Sequence, residues 1–164
     1  MTDSIHPEVR QNVLRGVWFQ LPMVLVWGFR PAYVIDFDFT KFVSYGFGVD
    51  TASFMHLLGL TIMTYSMIRI YRRLEMEKLI TTDLFAVTRH PMYHGMVIAD
   101  TSLFFQADLR DPIFWATWVL FIALILAAGW FQEKETLARW RGEAEIYYER
   151  TPRFVFEWLW RWWH

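Results

Sequence analysis

Four apolar stretches, separated by polar and charged segments, dominate the pattern of the chain. The last of them is the strongest, because residues 112–131 contain no charged side chain. An α-helix needs about 20 apolar residues to cross the hydrocarbon core of a bilayer. The pattern therefore predicts four membrane-spanning helices, at approximately residues 13–35, 51–72, 92–109 and 112–132.

A polar segment that still favours helix follows the fourth stretch. Hydrophobic side chains recur in it at helical spacing, which places Leu137, Trp140 and Tyr147 on the face that carries Glu133. Gly142 is the expected weak point, and Thr151-Pro152 should end the helix. We expect the fourth span to project from the membrane and fold back, forming a cytoplasmic helical extension over residues 133–164. The tail that follows is rich in tryptophan and suits the headgroup layer: Trp158, Trp160, Trp162 and Trp163.

The composition supports a membrane protein and excludes several other classes. Hydrophobic residues make up 55% of the 164 residues and aromatic residues 20%, more than the core of a soluble domain of this size can hold. Cysteine is absent, which excludes disulfides and thiol chemistry. The net charge of −1 gives no electrostatic support for binding nucleic acid. The predicted fold class is a single all-α domain, 1–164, built as an integral membrane helical bundle.

The distribution of Lys and Arg predicts the orientation of this bundle. With four spans, thirteen of the sixteen basic residues lie on the side that holds both termini, and the other three are Arg30, Lys41 and Arg110. Basic residues near span ends favour the cytoplasmic side. Both termini are therefore expected to be cytoplasmic in a multi-pass topology.

The segment 88–95 carries the first group of chemically capable side chains. Pro91 suits the first turn of the third span, where free backbone N–H groups beside Arg89 could hold an anionic group. His90 and Tyr93 add hydrogen-bonding groups at the same membrane edge. The alternative is that this segment is only a basic interface that orients the helix. If Arg89 instead binds that anionic group, its removal should weaken ligand binding and leave folding unchanged, because an interface arginine adds little net stability.

Glu133, at the exit of the fourth span, is the second candidate. The tight turn over residues 109–112 predicts an antiparallel hairpin of the third and fourth spans, which would bring Glu133 beside Arg89. The pair is either a plain salt bridge or part of a cofactor pocket in which the two charges hold opposite ends of a zwitterion. Gly129, one turn earlier, would leave room for a ligand.

Asp100 is costly at its expected depth in the membrane. It either bonds a neighbouring helix, through His56 or a hydroxyl group, or binds substrate together with His94. His56 is expected to be structural.

The string DLFAVTRHPMYHG resembles the first motif, G-x-[YF]-x-x-x-R-H-P-x-Y-x-G, of the isoprenylcysteine carboxyl methyltransferase and phospholipid methyltransferase superfamily. The string QEKETLARWRGEAEIYYERTPRF is similar to that family's second motif, and the resemblance covers roughly residues 51–156. Three positions depart from the family pattern, namely Asp83, Gln132 and Ala144.

The resemblance implies an S-adenosylmethionine-dependent membrane methyltransferase with a lipophilic acceptor entering from the membrane lipid. Its catalytic residues would be Arg89 and Glu133. Acceptors with an N–H or S–H group would also need a base, for which His90, His94 or Glu133 is in range. No metal is required. The implied cofactor-binding residues are Arg89, His90, Tyr93, Gly95, Glu133, Leu137, Trp140 and Tyr147.

Two other functions stay open at this point. The departures at Gln132 and Ala144 permit a non-catalytic membrane subunit that keeps the fold. A nicotinamide-dependent membrane reductase is the third alternative, although the chain is short for one.

Overall fold

The computed structural model describes the backbone of residues 7–34, 50–74 and 79–155, and the side chains of 20–34, 50–72 and 79–155. All regular structure in these residues is helical, as predicted. Both chain ends lie outside the described residues, and so does the tryptophan-rich tail that was predicted to lie in the headgroup layer. The helices are α1 (Pro7–Val34), α2 (Thr51–Leu74), α3 (Leu84–Val87), α4 (Pro91–Thr101) and α5 (Pro112–Arg150).

Two of the described helices are long and apolar enough to cross a membrane, within Thr51–Arg72 and Pro112–Arg150. In the most apolar 18-residue stretch of each helix, only 22% of the first stretch and 28% of the second are buried inside the protein. Phe54 and Val119 are among the large apolar side chains left exposed. A core helix of a soluble protein would bury most of such a surface, so both helices point to membrane association. The predicted first span, 13–35, falls largely within α1.

Helix α4 covers only part of the predicted third span, 92–109. Helix α4 ends at Thr101 and a 3-10 turn follows over Ser102–Phe105. The Thr101 hydroxyl donates to the Val97 carbonyl at 2.7 Å, and the Ser102 hydroxyl donates to the Ala99 carbonyl. With 11 residues, α4 is about 16 Å long, roughly half the thickness of a bilayer core.

Helix α4 packs most closely on α2, through two glycines. A Cβ atom on Gly59 would lie 2.4 Å from the backbone of Gly95 and Ala99, and one on Gly95 would lie 2.6 Å from the backbone of Gly59 and Met63. Gly95, which the family resemblance implied for cofactor binding, therefore serves the contact between helices. Helix α1 packs on α5. The main core lies between α1, α4 and α5: Met23, Tyr93, Met96, Phe121, Ile125 and Ala128.

Asp100 bonds a neighbouring helix, and the partner that the structure shows for it is Arg30. The Arg30 guanidinium donates to both carboxylate oxygens of Asp100, at 2.7 and 3.1 Å. It also donates to the Phe114 carbonyl and the Thr117 hydroxyl. Arg30 is 1% exposed and Asp100 2%, so this ion pair ties α1, α4 and α5 together inside the bundle. Both oxygens of Asp100 are bonded to Arg30, which favours its role in joining the helices, and its predicted contact with substrate stays a prediction.

Helix α5 bends sharply beyond the apolar part, at Trp140. The backbone there leaves the helical region, with φ −124° and ψ 39°, two residues before the predicted weak point Gly142. The Tyr148 hydroxyl donates to the Glu133 carbonyl at 3.4 Å. Fifteen residues of straight helix would span about 22 Å, so the extension folds back as predicted. Its helix ends at Thr151-Pro152, also as predicted.

Candidate functional site

The site is centred on the buried carboxylate of Glu133, which three basic side chains surround. Arg89 Nη1 lies 3.1 Å from Oε1, and His90 Nε2 lies 3.3 Å from the same oxygen. Arg153 bonds both oxygens, through Nε at 2.9 and 3.0 Å and through Nη2. We call these four residues the Glu133 cluster. The predicted meeting of Arg89 and Glu133, 44 positions apart, is confirmed.

Arg89 also holds the folded-back end of α5. Its Nε donates to the Thr151 carbonyl and its Nη2 to the Tyr148 carbonyl, each at 2.6 Å. The guanidinium lies over the Tyr148 ring, 4.4 Å from its centroid. These contacts contradict the premise that Arg89 is a solvated interface residue, so its removal should loosen this end of the chain.

Glu133 lies beyond the predicted span 112–132, in the polar extension. Burial alone would raise the pKa of its carboxyl group. Hydrogen bonds from His90 and Arg153, together with the positive charge of Arg153, outweigh burial and lower the pKa to about 2. The carboxylate is therefore charged at every physiological pH.

Residues 151–155, the closing segment, lie across the beginning of α4. The Arg89 N–H donates to the Pro152 carbonyl at 3.0 Å, and the Thr88 hydroxyl donates to the Arg153 carbonyl at 2.8 Å. The Val155 N–H donates to His94 Nε2 at 3.1 Å.

His94 and Gly129 both contact other parts of the protein. His94 Nε2 accepts from a backbone N–H, so the ring is neutral with its proton on Nδ1, which donates to the His90 carbonyl at 2.9 Å. Both ring nitrogens are thus bonded within the protein, and the predicted substrate contact of His94 stays a prediction. A Cβ on Gly129 would lie 3.4 Å from His90 Nε2 and 3.7 Å from the Phe154 ring. Protein side chains fill the space expected for a ligand there.

A small recess opens beside the cluster, with about 230 Å³ of space that is partly open to solvent. We call it the Tyr93 recess, and its walls come from α2, α3, α4 and α5: Ile70, Phe85, Arg89, His90, Pro91, Met92, Tyr93 and Gln132.

The structure brings together only part of the predicted set. Arg89, His90 and Glu133 meet in the cluster, and Tyr93 adjoins it, with its ring stacked on that of His90 at 5.4 Å. Tyr147 is buried nearby and donates to the Phe85 carbonyl at 2.6 Å, which holds α3 against the extension.

Two further residues implied for cofactor binding lie on the extension. Trp140 forms the bend of α5 and lies under the Arg139 guanidinium, and Leu137 is half-buried one turn before it.

Sequence reasoning missed Arg153 and Tyr148 as members of this site. Arg153 stood in the second motif, in the Pro-Arg pair that closes it, and its position there was the available signal. The role of Tyr148 depends on its backbone carbonyl and on the bend at Trp140, which residue type does not indicate.

No protein-family model matches the chain, and no curated protein or solved structure shows significant similarity to it.

Proposed function

We propose that this protein transfers a methyl group from S-adenosylmethionine to a lipophilic acceptor at the surface of a membrane. The observation that carries the proposal is the contact of Arg89 with Glu133. It joins the two segments that resemble the methyltransferase motifs, next to the end of the charge-free part of α5. Opposite charges, partly withdrawn from water at a membrane edge, suit a zwitterionic donor and a lipophilic acceptor.

Two glycine positions of the first motif support the resemblance independently. At Gly95 the backbones of α2 and α4 approach too closely for any side chain. At Asp83, where the motif has glycine, φ is 59° and ψ −128°, a region that glycine enters at little cost. At both positions the backbone geometry favours glycine, which is the residue that the family motif has there.

The charged groups of the cluster fit the two ends of the donor's amino-acid moiety. Glu133 would hold the ammonium group. Arg153 is the most exposed partner of Glu133, with 34% of its side chain accessible, so it is the partner that a bound cation would displace. Once displaced, Arg153 would be free to pair with the donor's carboxylate, while Arg89 keeps its backbone bonds to Tyr148 and Thr151.

When bound, the donor supplies an electrophilic methyl group whose bonding electrons return to sulfur as the acceptor takes the methyl. The chain would contribute alignment and the exclusion of water. An acceptor carrying N–H or O–H must also lose a proton, and His90 beside Glu133 is the nearest base to the Tyr93 recess. A carboxylate acceptor needs no base.

A non-catalytic membrane subunit is the alternative that a specific observation favours. Both oxygens of Glu133 are already bonded to arginines, and the adjoining recess is small. In both cases we propose a multi-pass protein with the cluster on the cytoplasmic side.

Calorimetric titration of the detergent-solubilised protein with S-adenosylhomocysteine and with NADPH tests the proposal. Methyltransferase function predicts micromolar binding of the first and none of the second. Binding of neither compound would favour the non-catalytic subunit, and binding of NADPH alone would favour a reductase. Incubation with radiolabelled donor and total membrane lipid would then identify the labelled product.

A further inference from the structure

The Tyr93 hydroxyl is a buried polar group that has no hydrogen-bond partner in the described part of the chain. Tyr93 is 1% exposed, and it lines the Tyr93 recess. Gln132 lines the same recess and lies near the hydroxyl without the geometry of a hydrogen bond. A buried hydroxyl without a partner is destabilising, so such a group calls for a ligand or water.

The polar groups around this hydroxyl can donate hydrogen bonds, and none of the residues that line the recess is acidic. Tyr93 offers its O–H, and Gln132 offers an amide N–H₂. Glu133 does not line the recess, and its oxygens are bonded to Arg89, Arg153 and His90. A ligand group in the recess therefore meets donors rather than a free carboxylate.

The charge of the neighbouring Glu133 cluster also favours a ligand group that accepts hydrogen bonds. Glu133 carries one negative charge, against the positive charges of Arg89 and Arg153. With no donor bound at Glu133, the net positive charge beside the recess favours an anion over a protonated amine. The remaining walls are apolar, with Ile70 from α2 and Met92 from α4, and suit a hydrocarbon chain.

We propose that the Tyr93 recess binds the oxygen-bearing head group of a lipophilic ligand, and that it discriminates against protonated amines. The Tyr93 hydroxyl and the Gln132 amide donate to the head-group oxygen, and the ligand's chain lies along Ile70 and Met92. Taking this ligand as the methyl acceptor rests on the proposed function, but the binding itself requires no donor.

Three probes that share one alkyl chain test the preference: octanoate, octanol and octylamine. Each is titrated into the full-length protein in lipid nanodiscs, with empty nanodiscs as the blank for partitioning. We expect octanoate to bind at least tenfold more tightly than octylamine, with octanol between them. Equal affinities after the blank is subtracted, or a preference for octylamine, would overturn the proposal.

Two variants and one control assign this preference to the recess. Tyr93→Phe should weaken octanoate and octanol about tenfold and leave octylamine unchanged, whereas Tyr65→Phe, on the exposed face of α2, should change none of the three. Gln132→Glu should reduce or reverse the preference for octanoate over octylamine. No change in either recess variant, with thermal unfolding unaltered, would contradict the assignment.

A titration with S-adenosylhomocysteine separates this proposal from the proposed function. Donor binding without the octanoate preference would disprove the recess assignment alone. The octanoate preference without donor binding would disprove methyl transfer and leave the recess as a lipophile site.

Discussion

Glu133 shows how a single buried charge can organise a site. Its carboxylate is tolerated because Arg89, Arg153 and His90 supply hydrogen bonds and positive charge that offset the cost of burial. Removing one of these basic side chains would leave the buried carboxylate incompletely paired. The same residue therefore serves the folded-back end of α5 and the proposed donor site, and substitutions there must be tested for both.

Asp83 adopts a backbone conformation that is unfavourable for a residue with a Cβ atom. A non-glycine residue at φ 59° and ψ −128° stores about 1–3 kcal/mol of strain. Its ion pair with Arg69 joins two partly exposed side chains and is worth at most about 1 kcal/mol. We predict that Asp83→Gly stabilises the protein by about 1 kcal/mol, measured as a higher thermal unfolding temperature in detergent.

Asp83→Asn provides the control for that prediction. It removes the charge but keeps a Cβ atom in the strained region, so it should not stabilise the protein. An equal gain in both variants would show that the charge, and not the backbone, is unfavourable at this position.

At the scale of elements, the glycine contact between α2 and α4 controls how the beginning of α4 is held. Gly59→Ala would place a methyl group 2.4 Å from the Ala99 and Gly95 backbone, so the helices must separate. Overpacking of this kind costs about 1–3 kcal/mol. We predict a lower unfolding temperature for Gly59→Ala.

Gly28 and Gly142 are matched controls, because nothing lies within 4 Å of a Cβ built on either. Alanine at these helical positions should be neutral or stabilising by up to about 1 kcal/mol, since it favours helix more than glycine does. Comparable losses at all three positions would contradict the close packing of α2 on α4.

The sequence predicted the helical elements better than it predicted their ends. The charge-free run 112–131 predicts where α5 begins, and Thr151-Pro152 predicts where it ends. The end of α4 at Thr101 has no signal in the residue types, because the hydroxyl-to-carbonyl bond that Thr101 forms also occurs at Thr61 and Ser66, inside α2, without ending that helix. The bend at Trp140 is set by the docking of Tyr148 near Glu133, a tertiary contact without a local signal.

For the candidate site, too, the sequence predicted some of the contacts and not others. The motif spacing brought Arg89, His90 and Glu133 to one place, because the two segments flank an apolar hairpin. Gly95 was assigned to a ligand through the motif resemblance, and Asp100 and His94 through their residue type and position in the predicted span. Their partners Gly59, Arg30 and Val155 lie 36, 70 and 61 positions away and emerge only from the packing.

For the whole molecule, the orientation in the membrane can be measured directly because the chain has no cysteine. Cysteines at Arg110, in the exposed connection before α5, and at Glu135, on the exposed side of its polar part, should label from opposite sides of sealed vesicles. We predict that Glu135 labels from the cytoplasmic side. Labelling of both positions from one side would contradict a membrane crossing by the apolar part of α5.

The most direct test of the proposed function compares Glu133→Gln with Glu135→Gln by calorimetric titration with S-adenosylhomocysteine. Both variants remove one negative charge, but Glu135 is exposed and stands outside the cluster. If Glu133 holds the donor's ammonium group, Glu133→Gln should weaken binding by about 1.5–3 kcal/mol, the usual worth of a hydrogen bond to a charged group. Glu135→Gln should bind as the wild type does. Equal losses in the two variants, or unchanged binding in Glu133→Gln with its unfolding temperature preserved, would contradict a donor site at Glu133.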